Sequence, residues 1–202
     1  RSLILGLTGG IATGMSCVAG ILRDLDIPVV CADQMSLALS QKGSPVLKEV
    51  LKQFGKSVFY PDKSLNRPAL ARIVFADARK LKKLQNILHP RIKQQIKKET
   101  AQLRKQGHKL IVIDVPLLFE VGWEDLCNLT VCVTTSQKKQ IERLTKNRGL
   151  SRTEALARIK AQMPLKEKVK RADFVIENGS TLKKLKNQVG ATLTVAQSFG
   201  RG

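Results

Sequence analysis

The stretch Gly9-Gly10-Ile11-Ala12-Thr13-Gly14-Met15-Ser16 decides the fold of this chain. It follows the apolar run at 3–7, which predicts a buried strand, and it precedes apolar residues at helical spacing, namely Val18, Ile21, Leu22 and Leu25. A strand, a glycine loop and a helix in this order are the setting of a phosphate-binding loop. The helix N-terminus directs unpaired N–H groups and the positive end of its dipole at such a loop, which favours anion binding.

One letter of the loop departs from the pattern G-x-x-x-x-G-K-[ST]. Gly9, Gly14 and Ser16 comply, but Met15 stands where a lysine would reach the outer phosphates of a nucleotide. Eight letters with one mismatch can arise by chance in a chain that contains glycine. The strand and helix on either side are therefore what favour a phosphate site.

Length and cysteine usage limit the class of protein. A chain of 202 residues suits one domain with lid-like insertions, and no apolar run approaches the roughly 20 residues of a membrane span. The four cysteines lack the paired spacing of a zinc site and are scattered through apolar segments, at Cys17, Cys31, Cys127 and Cys132. Reduced thiols are favoured over disulfides. We expect a soluble cytoplasmic protein that does not bind a membrane.

The net charge of +20 is concentrated between residues 79 and 109 and between 138 and 186. Such charge attracts polyanions, either a substrate with several phosphates or a nucleic acid. Many of these lysines are also explained as solvated helix faces. Because aromatic residues make up only 4% of the chain, stacking platforms for single strands are scarce.

Apolar runs at 27–32, 109–116, 129–134 and 174–176 add four strands that alternate with helical segments. This alternation predicts an α/β fold with a doubly wound five-stranded parallel sheet, in which ligands bind at the carboxyl ends of the strands. Asp33 would be a general base, a Mg²⁺ organiser or a helix N-cap, and Asp114 stands where a Mg²⁺-side carboxylate is common. The following Pro116-Leu117-Leu118-Phe119-Glu120 is either an apolar shelf facing the ligand or a packed loop.

Further candidates lie in two helical segments between the strands. Asn66 or Arg67 caps a helix, and Arg67 could instead contact a substrate phosphate. His89 is either a structural hydrogen-bonding residue or a substrate contact, and the adjacent Pro90 should bend or restart its helix. The second segment has little apolar surface, which predicts a mobile lid, with a Ser-x-x-Glu capping box at residues 151–154. Its candidates for phosphate contact are arginines that salt bridges or solvation could also explain: Arg143, Arg148 and Arg152.

The ordered set of motifs resembles one family, the dephospho-coenzyme A kinases. The resemblance covers nearly the whole chain and rests on these stretches: Leu7-Thr8-Gly9-Gly10-Ile11, Ala32-Asp33, Leu65-Asn66-Arg67, Leu88-His89-Pro90, Pro116-Leu117-Leu118-Phe119-Glu120, Arg158-Ile159-Lys160-Ala161-Gln162, and Ala172-Asp173 with Phe174-Val175-Ile176-Glu177-Asn178. It implies a P-loop NTPase fold like that of nucleoside monophosphate kinases, as one domain over 1–202. The core would be 1–33, 108–136 and 172–198, with a helical acceptor-binding insertion at about 34–107 and a lid at about 137–171.

The resemblance also implies an activity. Members transfer the γ-phosphate of ATP to the ribose 3′-hydroxyl of dephospho-CoA, with ATP and Mg²⁺ as the cofactors. The loop from Gly9 through Cys17 would hold the ATP phosphates, with Ser16 on Mg²⁺, and the strand-end position of Asp114 makes it our second expected Mg²⁺ ligand. The resemblance implies that Asp33 accepts the proton of the 3′-hydroxyl. It also implies that Arg67, His89 and the segment from Pro116 to Glu120 contact dephospho-CoA. Arg143 and Arg148 would contact phosphates, and Asn178 would contact the adenine. We expect a monomer whose ligands are ATP and dephospho-CoA, with no nucleic acid partner.

Three residues near the expected chemistry depart from the family pattern. Ala12 replaces a usual glycine, Cys31 replaces a frequent aspartate, and Met15 replaces the loop lysine. Since that lysine neutralises charge on the transferring phosphoryl group, its loss predicts a severely impaired kinase. Two alternatives remain, which are a catalytically silent nucleotide- or CoA-binding protein of the same fold and a nucleic-acid-binding protein that uses the basic surface.

Overall fold

The structure is a computed structural model that describes residues 2–199. The chain forms two compact units. The first comprises the residues up to Val30 and those from Thr100 onward, and the second comprises Cys31–Glu99. The sheet and the glycine loop belong to the first unit, and the second is helical.

A five-stranded parallel sheet forms the centre of the first unit, with strand order β2-β3-β1-β4-β5. The strands are β1 (Leu3–Gly9), β2 (Val29–Cys31), β3 (Leu110–Asp114), β4 (Leu129–Thr134) and β5 (Phe174–Glu177). The central strand β1 pairs with β3 in a register that sets Leu7 beside Asp114, and with β4 in one that sets Gly9 beside Val133. The predicted fold class is confirmed.

Nine α-helices lie within residues 2–199, and they begin and end as follows: α1 (Met15–Asp24), α2 (Ala32–Leu39), α3 (Val46–Phe54), α4 (Arg67–Ala76), α5 (Ala78–Lys105), α6 (Gln137–Arg148), α7 (Arg152–Lys160), α8 (Leu165–Arg171) and α9 (Leu182–Phe199). In the described part of the chain, none of them is both long and apolar enough to cross a bilayer.

The core of the first unit forms because β1 and β3 are buried on both faces, as expected of central parallel strands. Val18, Ile21 and Leu22 of α1 pack against these strands, as their helical spacing predicts. Val189 and Leu193 of α9 join the same cluster. The sheet thereby holds the start of α1 and the end of β1 at fixed positions, with the glycine loop between them.

A separate apolar cluster supports the second unit, with Val46 and Val50 of α3, Val58, Leu70 and Val74 of α4, and Ile87 of α5. Helix α5 runs through Pro90 without a break, so the predicted restart of the helix is wrong. The Asn66 side chain accepts a hydrogen bond from the Ala69 N–H at 3.1 Å, which settles the capping of α4 in favour of Asn66.

Helix caps also settle two further expectations. The capping box of α7 is confirmed, because Ser151 and Glu154 each accept a hydrogen bond from the other's backbone N–H. Asp33 lies inside the first turn of α2, whose N-cap is Cys31, and no side chain caps that helix. The N-cap alternative for Asp33 is therefore wrong.

Asp173 joins the starts of β4 and β5. Its Oδ2 accepts hydrogen bonds from the Thr130 N–H at 2.7 Å and from the Thr130 hydroxyl at 2.8 Å, and Thr130 is buried. We expect Asp173→Ala to lower the free energy of unfolding by about 1–3 kcal/mol, because a buried donor loses its partner. Urea unfolding measures this loss, and Glu177→Ala, at the other end of β5, is a matched control. An unchanged unfolding midpoint for Asp173→Ala would contradict the assignment.

Candidate active site

The glycine loop turns sharply between β1 and α1. Gly14 has φ +94° and Ala12 has φ +58°, so both adopt the left-handed conformation that glycine tolerates best. A Cβ at Gly9 would lie 2.6 Å from the Val133 carbonyl oxygen, so this position requires glycine. The buried Thr13 closes the turn, since its hydroxyl donates to the Gly10 carbonyl at 2.8 Å.

The N-terminus of α1 is open to an anion. Gly14 is its N-cap, and no side chain makes a capping hydrogen bond there. The first N–H groups of a helix lack partners in a preceding turn, although the Cys17 N–H here donates to the Gly14 carbonyl at 3.0 Å. The start of the helix and its dipole favour a phosphate at this point. Ser16 and Cys17 in the same turn are exposed.

Met15 lies over the loop. Its Cγ is 3.1 Å from the point at which a Cβ on Gly9 would lie, and its side chain packs partly against the core around β1. The stem of a lysine would occupy a similar path, because lysine and methionine are unbranched and of similar length. The residues around position 15 therefore suit a lysine, while the ammonium group that would neutralise phosphate is missing.

Side chains from outside the loop hold its backbone carbonyl groups. Arg143 of α6 donates through Nη1 to the Ala12 and Thr13 carbonyls, both at 3.0 Å, and through Nη2 to the Asn178 carbonyl at 2.9 Å. The Asn178 amide donates to the Thr13 carbonyl at 2.8 Å. Both residues contact the loop itself. Contacts from Arg143 to a phosphate and from Asn178 to an adenine remain predictions.

Three further residues hold the loop, and sequence reasoning gave none of them a role there. Gln140 donates to the Ile11 carbonyl at 2.8 Å, and Gln162 accepts from the Ile11 N–H at 2.8 Å. Lys168 of α8 donates to the Gly9 carbonyl at 3.0 Å. Gln162 belongs to a stretch on which the family resemblance rests, which was the one available signal. In a lysine-rich segment, nothing local distinguishes Lys168 from its solvated neighbours.

Apolar packing adds to these hydrogen bonds. Ile141 and Leu144 of α6 and Ala155 of α7 form a small buried cluster, against which Ile11 and Ala12 of the loop pack. The basic segment at 137–171 thus contacts the loop through apolar side chains as well as through Arg143. Arg148 and Arg152 of the same segment are exposed.

Two candidate Mg²⁺ ligands flank the loop. Asp114 is buried at the carboxyl end of β3, beside Leu7 of β1, and Ser16 is exposed in the first turn of α1. Hydroxyl and carboxylate oxygens are ligands that Mg²⁺ accepts, usually together with substrate phosphates. Among residues 2–199, no group of three or more His, Cys, Asp or Glu side chains could hold a metal ion. The residues present fit a Mg²⁺ ion held jointly with a nucleotide.

The segment from Pro116 to Glu120 is largely packed. Leu118 and Phe119 are buried, whereas Pro116 and Leu117 are half-buried. Glu120 is exposed as a whole residue, yet its side chain retains only 19% exposure because its Oε1 accepts from Lys168 at 2.8 Å. The Pro116 carbonyl accepts a hydrogen bond from the Thr8 hydroxyl at 3.0 Å. The segment is therefore tied to the strand that leads into the loop.

Asp33, in the second unit, has a perturbed acidity. Partial desolvation by neighbouring protein atoms raises the pKa of this carboxyl group above its ordinary value, although the residue is exposed at the surface. A carboxylate with a raised pKa is a stronger base than an ordinary aspartate. The direction of this shift favours proton abstraction, and the role of Asp33 as a base stays a prediction.

The other two candidates of the second unit are Arg67 and His89. Arg67 is exposed, and its Nη2 donates to the Leu37 carbonyl and the Ser40 hydroxyl, both at 2.9 Å, so it fastens α4 to the end of α2. His89 is half-buried in α5. Burial lowers the pKa of His89, and the charge of Lys82 lowers it further. The contacts of Arg67 with α2 lie within the protein, and contacts of Arg67 and His89 with dephospho-CoA remain predictions.

A cavity of about 770 Å³ opens in the second unit. Its lining includes the apolar residues Leu47, Leu51, Phe59, Tyr60 and Pro61 and the lysines Lys42, Lys48, Lys56 and Lys63, of which Lys42 pairs with Asp62. A cavity of this size and character suits a molecule that carries both phosphate and an apolar chain.

A profile of the dephospho-CoA kinase family matches residues 3–184. The chain belongs to this family. The dephospho-CoA kinase of Anaeromyxobacter dehalogenans is 43% identical over 199 residues, which cover 98% of this chain and 94% of that protein. The structure of the dephospho-CoA kinase of Campylobacter jejuni is also similar, with a TM-score of 0.72 and 25% identity over 98% of this chain and 99% of that one. A crystal structure from Thermus thermophilus gives a TM-score of 0.84 at 36% identity, over 96% of this chain and 98% of that one.

Membership of the dephospho-CoA kinase family explains the arrangement around the loop. A kinase needs backbone N–H groups that are already oriented toward the phosphates before the nucleotide binds. In the first unit, Arg143, Asn178, Gln140 and Lys168 hold loop carbonyls, and Gln162 accepts from the Ile11 N–H. These contacts fix the conformation of the loop, and its binding of phosphates stays a prediction.

Proposed function

We propose that this chain is an ATP-dependent kinase that phosphorylates the ribose 3′-hydroxyl of dephospho-CoA to give coenzyme A, and that Met15 severely reduces its turnover. One observation carries the proposal. Side chains from other elements hold the loop carbonyls, and no side chain caps the N-terminus of α1, while Met15 stands where the loop lysine is expected. The family match supports the choice of substrates.

The residues would divide the reaction as follows. The loop N–H groups and the α1 N-terminus bind the ATP phosphates, and Arg143 and Arg148 stabilise the charge of the transferring phosphoryl group. Asp33 accepts the proton of the 3′-hydroxyl as the oxygen attacks the γ-phosphorus, and ADP leaves. Ser16 and Asp114 would hold Mg²⁺, which would neutralise phosphate charge when bound.

The second unit would bind the acceptor. Its cavity combines apolar residues with Lys48, Lys56 and Lys63, which suits a molecule that has a diphosphate and a long uncharged arm, although Arg67 and His89 are not among its lining residues. Arg67, His89 and the segment from Pro116 to Glu120 are proposed as further contacts of dephospho-CoA. Both units would then act as one kinase domain, in which residues 137–171 are the lid.

We further propose that the protein acts as a monomer in the cytoplasm. The four cysteines are free thiols in the structure, and burial raises the pKa of Cys127 to about 12 and that of Cys132 to about 11. Buried thiols with such pKa values resist oxidation, as suits a reducing compartment.

The second candidate function is a catalytically silent nucleotide- or CoA-binding protein. Met15 itself favours this candidate, because a silent protein has no need of the lysine. The two candidates differ in what the same substitution does. A silent protein binds ATP tightly and shows no turnover even after Met15→Lys, whereas an impaired kinase gains turnover.

The test is incubation of Met15→Lys with ATP, Mg²⁺ and dephospho-CoA. We expect ADP and coenzyme A in equal amounts, with the new phosphomonoester located on the ribose 3′-oxygen by ³¹P NMR and mass spectrometry. ATP hydrolysis without coenzyme A, or no reaction at all, would refute the proposed activity. Adenosine with a free 3′-hydroxyl but no pantetheine arm serves as a control for acceptor recognition.

Cys17 offers a test of ATP binding that does not depend on turnover. Cys17 is exposed in the first turn of α1, whereas Cys132 is buried. We expect a thiol reagent to label Cys17 much faster than Cys127 or Cys132, and saturating ATP to slow that labelling at least tenfold, because phosphates would cover the turn. Mass spectrometry of labelled peptides measures both rates, and Cys17→Ser identifies the fast site. Equal labelling with and without ATP would place the nucleotide elsewhere.

A further inference from the structure

Lys168 is the largest fully buried side chain among the described residues, with 0% exposure. A lysine is almost never buried completely unless its charge is paired. Here the ammonium group has three acceptors within hydrogen-bond distance: the Gly9 carbonyl at 3.0 Å, the Pro116 carbonyl at 2.8 Å and the Glu120 Oε1 at 2.8 Å. Since an ammonium has three N–H groups, each has an acceptor.

These acceptors lie in different parts of the first unit. Gly9 ends β1 and begins the phosphate loop, while Pro116 and Glu120 are the two ends of the segment after β3. Glu120 Oε1 also accepts from the Met163 N–H at 3.1 Å, just before α8. One ammonium therefore connects the loop, the segment after β3 and the chain leading into α8.

We propose that Lys168 is a positioning residue that fixes the phosphate loop relative to the segment from Pro116 to Glu120. This inference rests on the proposed function and deepens it. The carbonyls of Ile11, Ala12 and Thr13 are held by Gln140, Arg143 and Asn178, whereas Lys168 is the side chain that holds the Gly9 carbonyl. Its removal takes a side-chain hydrogen bond away from the residue at which the loop leaves the sheet.

The energetics of buried ion pairs favour positioning over stabilisation. Removing two charges from water costs about as much free energy as their attraction returns, and apolar replacements of both partners are often neutral or stabilising. A buried lysine at this place is thus poorly explained by stability alone. Its directional hydrogen bonds to two backbone carbonyls instead fix geometry, which a phosphoryl-transfer site needs to within a fraction of an ångström.

The experiment uses Met15→Lys as the parent, so that turnover is measurable, and compares Glu120→Gln with Glu120→Gln/Lys168→Met. Methionine keeps the unbranched stem and removes the three donors, and glutamine leaves no unpaired carboxylate, so folding should survive. We expect the added Lys168→Met to weaken ATP binding about tenfold and to lower kcat about 10²-fold, as a displacement near 1 Å does at a reacting centre. The melting temperature should stay within a few degrees.

Lys170→Met is the matched control, because Lys170 lies on the same helix, is 72% exposed and pairs only with Glu167 among the described residues. It should leave ATP affinity and kcat unchanged. Lys168→Met alone should additionally lower the melting temperature, since the Glu120 carboxylate loses its cation. If Glu120→Gln/Lys168→Met keeps ATP affinity and kcat within twofold of Glu120→Gln, Lys168 is structural only and the positioning role is overturned.

Hydrogen exchange of residues 9–17 without nucleotide separates this inference from the proposed function. We expect faster exchange in Glu120→Gln/Lys168→Met than in Glu120→Gln, with exchange in β4 unchanged. That result supports positioning even if the parent does not phosphorylate dephospho-CoA, in which case only the proposed activity fails. Equal exchange in the loop overturns the inference whatever the turnover.

Discussion

Replacing Met15 with lysine is expected to raise the turnover of dephospho-CoA by about 10²- to 10³-fold. In other enzymes, removal of one preorganised hydrogen-bond donor to the charge that develops in the transition state lowers kcat by roughly this factor. The full positive charge of a lysine should contribute at least as much. The structure offers a lysine a path over Gly9, since the Met15 stem already follows it. Steady-state kinetics with saturating ATP and dephospho-CoA measure the gain.

Two substitutions at the same position serve as controls for Met15→Lys. Met15→Leu changes the shape of the side chain without adding charge, and Met15→Gln adds donors without charge. Neither should reach a tenth of the lysine's effect. Equal turnover in the starting chain and in Met15→Lys would show that the methionine is not the cause of impairment, and ATP affinity would then identify whether binding or chemistry is limiting.

Asp33→Asn in the Met15→Lys background should lower kcat by about 10²- to 10⁴-fold, the range that general bases contribute. ATP affinity should not change, because the proposed role of Asp33 concerns the acceptor hydroxyl. Asp77→Asn is the matched control, since Asp77 lies in the same unit outside the proposed acceptor contacts, and its Oδ1 accepts from the Arg79 N–H at 2.8 Å, as an asparagine oxygen also can. A loss below threefold for Asp33→Asn would remove it from the chemistry.

The acidity of Asp33 also sets the pH dependence. The base must be deprotonated, and its pKa is raised above 3.8 by desolvation, so activity should fall as pH decreases through that raised pKa. The pKa of Asp62, in contrast, is lowered to about 2, chiefly by hydrogen bonds from Ser64. The pH at which kcat falls on the acid side should therefore lie well above the pKa of Asp62. This fall should disappear in Asp33→Asn.

The contribution of Asp33 to folding stability should change with pH in the direction opposite to activity. A carboxyl whose folded pKa is raised stabilises the fold below its unfolded pKa, and this contribution is lost as pH rises through the folded pKa. At neutral pH the ionised Asp33 therefore costs stability. Asp33→Asn should keep or raise the melting temperature while it lowers kcat, which separates loss of a base from loss of folding.

The sheet could be predicted because its strands are short apolar runs that alternate with amphipathic helices. The strand ends were less accurate at prolines, which have no N–H for the ladder. The runs 27–32 and 109–116 contain Pro28 and Pro116, and the strands there shorten to Val29–Cys31 and Leu110–Asp114. Asp33 consequently lies in a helical turn, two residues beyond its strand, and not at the strand end itself.

The glycine loop could also be predicted, because the fixed spacing of Gly9, Gly14 and Ser16 between a strand and a helix indicates it. Its hydrogen bonds from Arg143 were not predicted, since Arg143 was expected to contact a phosphate. The contacts of Gln140 and Lys168 could not be, since they join residues 129 and 159 positions apart through tertiary packing. Nothing in the local sequence separates a buried lysine from a solvated one in a chain with 36 lysines and arginines. The burial of Leu118 and Phe119 likewise results from tertiary packing, which their local sequence does not reveal.

The preserved surroundings of Met15 have a consequence for how this protein can evolve. The methionine codon ATG becomes the lysine codon AAG through a single-base change, and the loop, its outer hydrogen bonds and the path over Gly9 already suit the new side chain. No compensating substitution is required first. Revertants with restored coenzyme A synthesis should therefore arise readily at this codon when a cell depends on this copy alone.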